Sequence, residues 1–90
     1  MQLPRLNLNG SHGPTLVAQY RAALEAVSNA IVHVQQIDVH GRDYILLDSN
    51  AASVAFAEHR ARLDKLRQIE RELAAVAVEL DDQIAERAKR

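Results

Sequence analysis

Between Thr15 and Ile37 apolar residues return every three or four positions, as Val17, Tyr20, Leu24, Val27, Ile31 and Val34. That 3-4-3-4-3 spacing draws one seam along a helix, the a/d pattern by which helices pack. Leu16, Ala23, Ala30 and Ile37 form a second sevenfold row beside it. Two rows make a stripe wider than a single partner helix covers, so more than one neighbour is expected. Only Arg21 and Glu25 are ionised within this stretch, which suits the central helix of a bundle.

A second stripe runs through Phe56, His59, Leu63, Leu66, Ile69, Leu73, Val76, Leu80 and Ile84, with neither glycine nor proline to interrupt it. Asp48, Ser49 and Asn50 are all good N-cap residues before it. Glu58 with Arg62 and Arg60 with Asp64 stand at i,i+4, where opposite charges support a helix by roughly 0.2–0.5 kcal/mol each. Arg87, Lys89 and Arg90 suit the negative end of the helix dipole.

Before the first helix, Leu3, Leu6 and Leu8 interleave with Asn7 and Asn9 in a stretch that reads as extended. Gly10, Gly13 and Pro14 punctuate its end, and Pro14 fits a first helical turn. Ser11 and Gly13 are the alternative caps. The pattern predicts an all-α fold, an antiparallel two-helix hairpin with an extended N-terminal arm, assembling into an oligomeric helical bundle. Residues 1–90 make one domain: arm 1–14, first helix 15–38, connection 39–49 and second helix 50–88.

Lengths sharpen this. At about 1.5 Å per residue the helices span roughly 35 and 57 Å, so across a tight turn the first covers the second only to about residue 74. Val76, Val78, Leu80 and Ile84 would then project, to be covered by the arm or by another copy. Leaving them exposed forgoes about 1.5–3 kcal/mol each. A homo-oligomer is expected, a dimer or higher even assembly, with Val17, Tyr20, Leu24, Leu73, Val76, Leu80 and Ile84 at its interface.

Composition adds mainly exclusions. Tyr20, Tyr44 and Phe56 are the only aromatic residues, so the core is aliphatic, and a chain this short often gains stability by oligomerising. Eleven basic against twelve acidic residues leave a net charge of −1, which opposes generic nucleic-acid binding. There is no cysteine, hence no disulfide or thiolate metal site. No apolar run is long enough for a signal core or a membrane span, so a cytoplasmic location is expected. His12, His33, His40 and His59 show no metal-ligand spacing, and no cofactor motif or catalytic set stands out, so the chain reads as a non-enzyme.

The chemistry concentrates in the connection, "DVHGRDYILLD", residues 38–48. One account is purely structural: Gly41 ends the first helix as its C′ residue, His40 meets the last carbonyls, Asp48 begins the next helix, and Ile45, Leu46 and Leu47 plug the open end of the bundle. The other is a binding site. Arg42 would hold a phosphate, Tyr44 would stack or donate, and Asp43 and His40 would orient, joined by Asn9 and His59 from an adjacent chain. His59, lying on the apolar stripe, serves equally as a hydrogen-bonded core residue. The basic run Arg60, Arg62, Lys65, Arg67 and Arg71 is interrupted by acids and reads as a solvated face.

Three stretches, "LNLNGS" (6–11), "HGRDY" (40–44) and "AEHRARLDKL" (57–66), resemble a family of short, uncharacterised helical proteins of bacteriophages and prophages. Where that family continues with an aromatic and a Gly/Pro turn, this chain has Ile45, Leu46 and Leu47. The resemblance implies a context and no assigned activity: host bacterial cytoplasm and function by binding, either blocking a host protein or sequestering a nucleotide second messenger of antiviral defence. Two functions follow as expectations. One is a helical oligomer binding a small anionic, nucleotide-like ligand; the other is a protein-interaction or structural module, such as a phage assembly part or an inhibitor of a host protein.

Overall fold

A computed structural model describes residues 1–7, 9–10 and 12–89, leaving Leu8, Ser11 and Arg90 outside. Helix α1 runs over Gly13–Gln35, a 3₁₀ turn over Gly41–Tyr44, and helix α2 over Ala51–Ala88. The two helices pack against each other as a hairpin, with no strand among the described residues. The molecule is a rod of 66 × 21 × 19 Å.

Pro14 sits in the first turn of α1, where its missing N–H removes no helical bond. His12 is the N-cap residue, with no side-chain cap bond, so Gly13 lies inside the helix; the other expected cap, Ser11, lies outside the described residues. The helix stops at Gln35, and the Gln36 N–H closes it onto the carbonyls of Val32 and His33. Gly41 is not the C′ residue that was expected. It stands beyond the helix end and opens the 3₁₀ turn, and no described glycine has a positive φ. Asn50 is the N-cap residue of α2, and the Ala51 N–H donates to the Asp48 carbonyl at 2.9 Å.

The register corrects the length argument. Gly13 lies level with Ile84, since a Cβ built on it would stand 3.1 Å from Ile84 Cγ1. Farther along, the Ser28 hydroxyl donates to the Glu70 carboxylate at 2.7 Å. Helix α1 therefore covers α2 up to Ile84, about ten residues or roughly 15 Å beyond the reach of a tight turn. The reason is that residues 36–50 are not a tight turn: they climb alongside α2, with the 3₁₀ turn set against its first turns. What projects is the opposite end, the start of α2 together with the connection.

The core lies at the arm end. Leu6, Val17, Val76 and Leu80 are buried together, Leu80 completely, and Leu16, Tyr20 and Ile84 pack around them. Burying one such side chain stabilises by about 1.5–3 kcal/mol. The arm supplies Leu6, so Val76, Leu80 and Ile84 are covered within the chain, and Val17 with them. Their burial removes the overhang from which an interface at these residues was inferred. Val78 alone of the four remains exposed.

Gln83 fixes the arm. Its Oε1 accepts the Leu6 N–H at 2.9 Å, and its Nε2 donates to the Pro4 carbonyl at 3.0 Å and to Glu79 Oε1 at 3.0 Å. A buried amide with its donors and acceptor used in this way satisfies two arm backbone groups that the helices cannot reach. Arg21 pairs with Asp81 across the hairpin, and Arg62 with Glu58 at 3.7 Å as the spacing predicts. Asp64 instead meets Arg67, at 3.9 Å.

Candidate functional site

The connection end carries apolar side chains without cover. Ile45 is 77% exposed, Leu46 95% and Leu47 63%; Val54 is exposed beside Leu46 and Leu47, and Phe56 and Ile37 are exposed together in a separate cleft. The expected plug is therefore corrected. Because α1 ends at Gln35 and α2 reaches past it, there is no open bundle end for these three residues to fill. The Leu47 N–H bonds back to the Tyr44 carbonyl at 3.1 Å. That turn holds the aliphatic triplet on the outside of the tip.

Several clefts lie around this tip, Ile37, Val39, Phe56 and His59 lining one of them, and two others include Tyr44. One is lined by Tyr44, Leu46, Leu47, Val54, Ala55 and Glu58, among others. The second lies between the helices, walled by Val34, Ile37, Val39, Tyr44, His59, Arg62, Lys65 and Leu66. Its floor is aliphatic and its edge bears two cations, a phenol and an imidazole. Tyr44 is thus shared by both clefts, and His59 of the same chain lines the second with it, where an adjacent chain was expected to supply it.

The other anticipated site residues are placed differently. Arg42 is exposed, lines neither cleft, and has no hydrogen bond or ion pair among the described residues. Asp43 is exposed beside it, with its carboxylate 3.7 Å from His40 Nε2; Asp38 stands 3.8 Å from the same nitrogen. His40 Nδ1 is buried without a hydrogen-bond partner. Asn9 belongs to the arm, where its N–H donates to Asn7 Oδ1 at 2.9 Å. The arm docks at Gln83, the far end of the rod, so within one chain Asn9 does not meet the connection.

A chain in 3₁₀ conformation turns by about 120° per residue, so Arg42 and Tyr44, two apart, cannot point the same way. That geometry separates the guanidinium from the phenol. Arg62 and Lys65 take the place in the cleft that Arg42 was expected to hold. The signal for them was available, since His59, Arg62, Lys65 and Leu66 recur at helical spacing. They were read instead as part of a solvated charged face.

Among the described residues no group of three or more His, Asp or Glu side chains stands close enough to hold a metal ion. No helix among the described residues is long and apolar enough to cross a membrane. Compared with family models, curated proteins and solved structures, the chain finds no match.

Proposed function

We propose that this chain is a non-enzymatic interaction module that docks a protein partner through the apolar tip at its connection end. The observation that carries this reading is the exposure of Ile45, Leu46 and Leu47, of which Leu46 and Leu47 line one cleft with the exposed Val54. Leaving four large apolar side chains in water on one small tip is costly. Contiguous patches of this kind mark sites of association rather than ordinary surface. Arg42, exposed and unpaired at the same tip, supplies a polar rim contact of the type enriched at interfaces.

The test is capture of a stoichiometric partner by the wild-type chain and by a Leu46→Asp/Leu47→Asp double variant. Loss of the partner with unchanged helicity and melting supports the reading. Retention of the partner by the double variant removes it.

A second reading is favoured by the cleft that Tyr44, His59, Arg62 and Lys65 share over an aliphatic floor. Such a wall suits a small nucleotide-type anion: a ring laid on Val34 and Leu66 with its phosphate at the two cations. Calorimetric titration with cyclic di- and trinucleotides and ADP-ribose separates the two readings. Binding that is lost in Arg62→Ala and Tyr44→Ala supports the ligand. Absence of heat across the panel removes it.

A further inference from the structure

Two sevenfold rows border one groove of the hairpin. On α1 the row is Leu16, Ala23 and Ala30, with Ile37 of the connection beyond it; on α2 it is Arg62, Ile69, Val76 and Gln83. The arm fills one end of the groove, with Leu6 in the core cluster that Leu16 and Val76 share and its N–H on Gln83. Ile37 and Arg62 wall the Tyr44–His59 cleft at the other end. Between them the groove is open. Ala23 is exposed, Ala30 half-buried and Ile69 44% exposed.

From this we infer that the open groove is the seam of an antiparallel dimer, with a second copy of the chain as its occupant and Ile69 at the two-fold axis. This surface is distinct from the apolar tip, so the inference does not rest on the tip's role.

Area is the first argument. The chain exposes 6852 Å², whereas a compact monomer of 10.0 kDa exposes about 5,200 Å². The excess, roughly 1,600 Å², is about twice what one partner contributes to a standard interface. The second argument is shape. With the axis at Ile69 the two exposed Ile69 side chains pack on each other, a self-complementary contact of the kind a two-fold interface requires.

Charge sets the direction. Beside the Ile69 row lies a third sevenfold row, Glu58, Lys65, Glu72, Glu79 and Glu86. In a parallel pair this row would face the opposite flank of the partner helix and form no Lys65–Glu72 pair. Antiparallel copies with the axis at Ile69 set Lys65 of each against Glu72 of the other, twice. Glu58, whose equivalent position then faces Glu79, already pairs with Arg62. The same alignment brings the arm end of one copy over the Tyr44–His59 cleft of the other.

Light scattering on the intact chain should give twice the 10.0 kDa chain mass at micromolar concentration. Ile69→Glu should return the mass to that of one chain with helicity kept. Lys65→Glu should weaken the dimer, and Lys65→Glu/Glu72→Lys in one chain should restore it, because the swap rebuilds both pairs. The chain has no cysteine, so Ile69→Cys should give a covalent dimer on oxidation and Glu25→Cys, on the outer face, should not. A single-chain mass for the wild type, or a doubly reversed variant no tighter than Lys65→Glu, overturns the inference.

Discussion

Gln83 grips the backbone around Leu6, accepting the Leu6 N–H at 2.9 Å and donating to the carbonyl of Pro4 at 3.0 Å. The contact joins residues 77 positions apart. It converts a loosely patterned arm into a third layer over Val76 and Leu80. In Gln83→Leu the Leu6 N–H loses its acceptor in a buried place, which costs about 1–3 kcal/mol. Hydrogen exchange at Leu6 should speed up in that variant while the middle of α1 is little changed. Equal protection at Leu6 in both proteins would mean that Gln83 does not hold the arm.

Among the described residues Leu80 is the one large side chain with no exposure. Leu80→Ala leaves a cavity shared by arm and helices, for which about 2–5 kcal/mol is typical. A domain of this size loses about 4–8 °C of melting temperature per kcal/mol, so calorimetry should find it melting far below the wild type or not folded at all. Ala85→Ser, on the exposed face of the same helix, should melt like the wild type.

Gly13 is small for a steric reason rather than a conformational one. A Cβ there meets Ile84 and Leu6 side-chain carbons at 3.1 Å. Gly13→Leu must displace the arm or α2, and overpacking of that kind costs about 1–3 kcal/mol. Urea titration should show a lower midpoint, accompanied by faster proteolysis within the arm.

The cross-hairpin polar contacts should rank by burial. Ser28→Ala removes a part-buried hydrogen bond to Glu70 and should cost about 0.5–1.5 kcal/mol. Arg21→Ala removes an ion pair whose partners are 61% and 42% exposed, and exposed pairs contribute about 0.2–1 kcal/mol. Added salt should narrow the effect of Arg21→Ala and leave that of Ser28→Ala unchanged. The reverse order would show that the charge pair, not the hydroxyl, ties the helices.

Leu46 is nearly free of contacts at 95% exposure. Leu46→Asp should therefore leave the melting temperature within the spread of surface substitutions, about ±0.5 kcal/mol, and should raise solubility. A marked loss of stability would place Leu46 in a contact the single chain does not show.

The sequence carried the helices well and their alignment poorly. The row from Val17 to Val34 and the capping trio before Ala51 depend on local spacing, which the chain states directly. The register depends on how residues 36–50 travel, and no periodicity encodes that path. Gln83 was invisible because a glutamine on a charged helix reads as surface; only the approach of Pro4 and Leu6 gives it a role. At the tip, Tyr44 and His59 line one cleft within a single chain, although His59 was expected from an adjacent one. Arg42 was assigned by chemical type alone, and the 3₁₀ turn sends it elsewhere.

The rod is anchored unevenly along its length. Its buried side chains gather where the arm, Val17 and Leu80 meet, and toward the connection Ile31 is the only buried one among the described residues. Local openings are least costly where few apolar contacts must break. Thermal fraying should therefore start at the connection and travel toward the arm, like a zip fastened at one end. The tip that offers the most adhesive surface is then also the part most able to reshape itself around what it meets, while the anchored end keeps the fold intact.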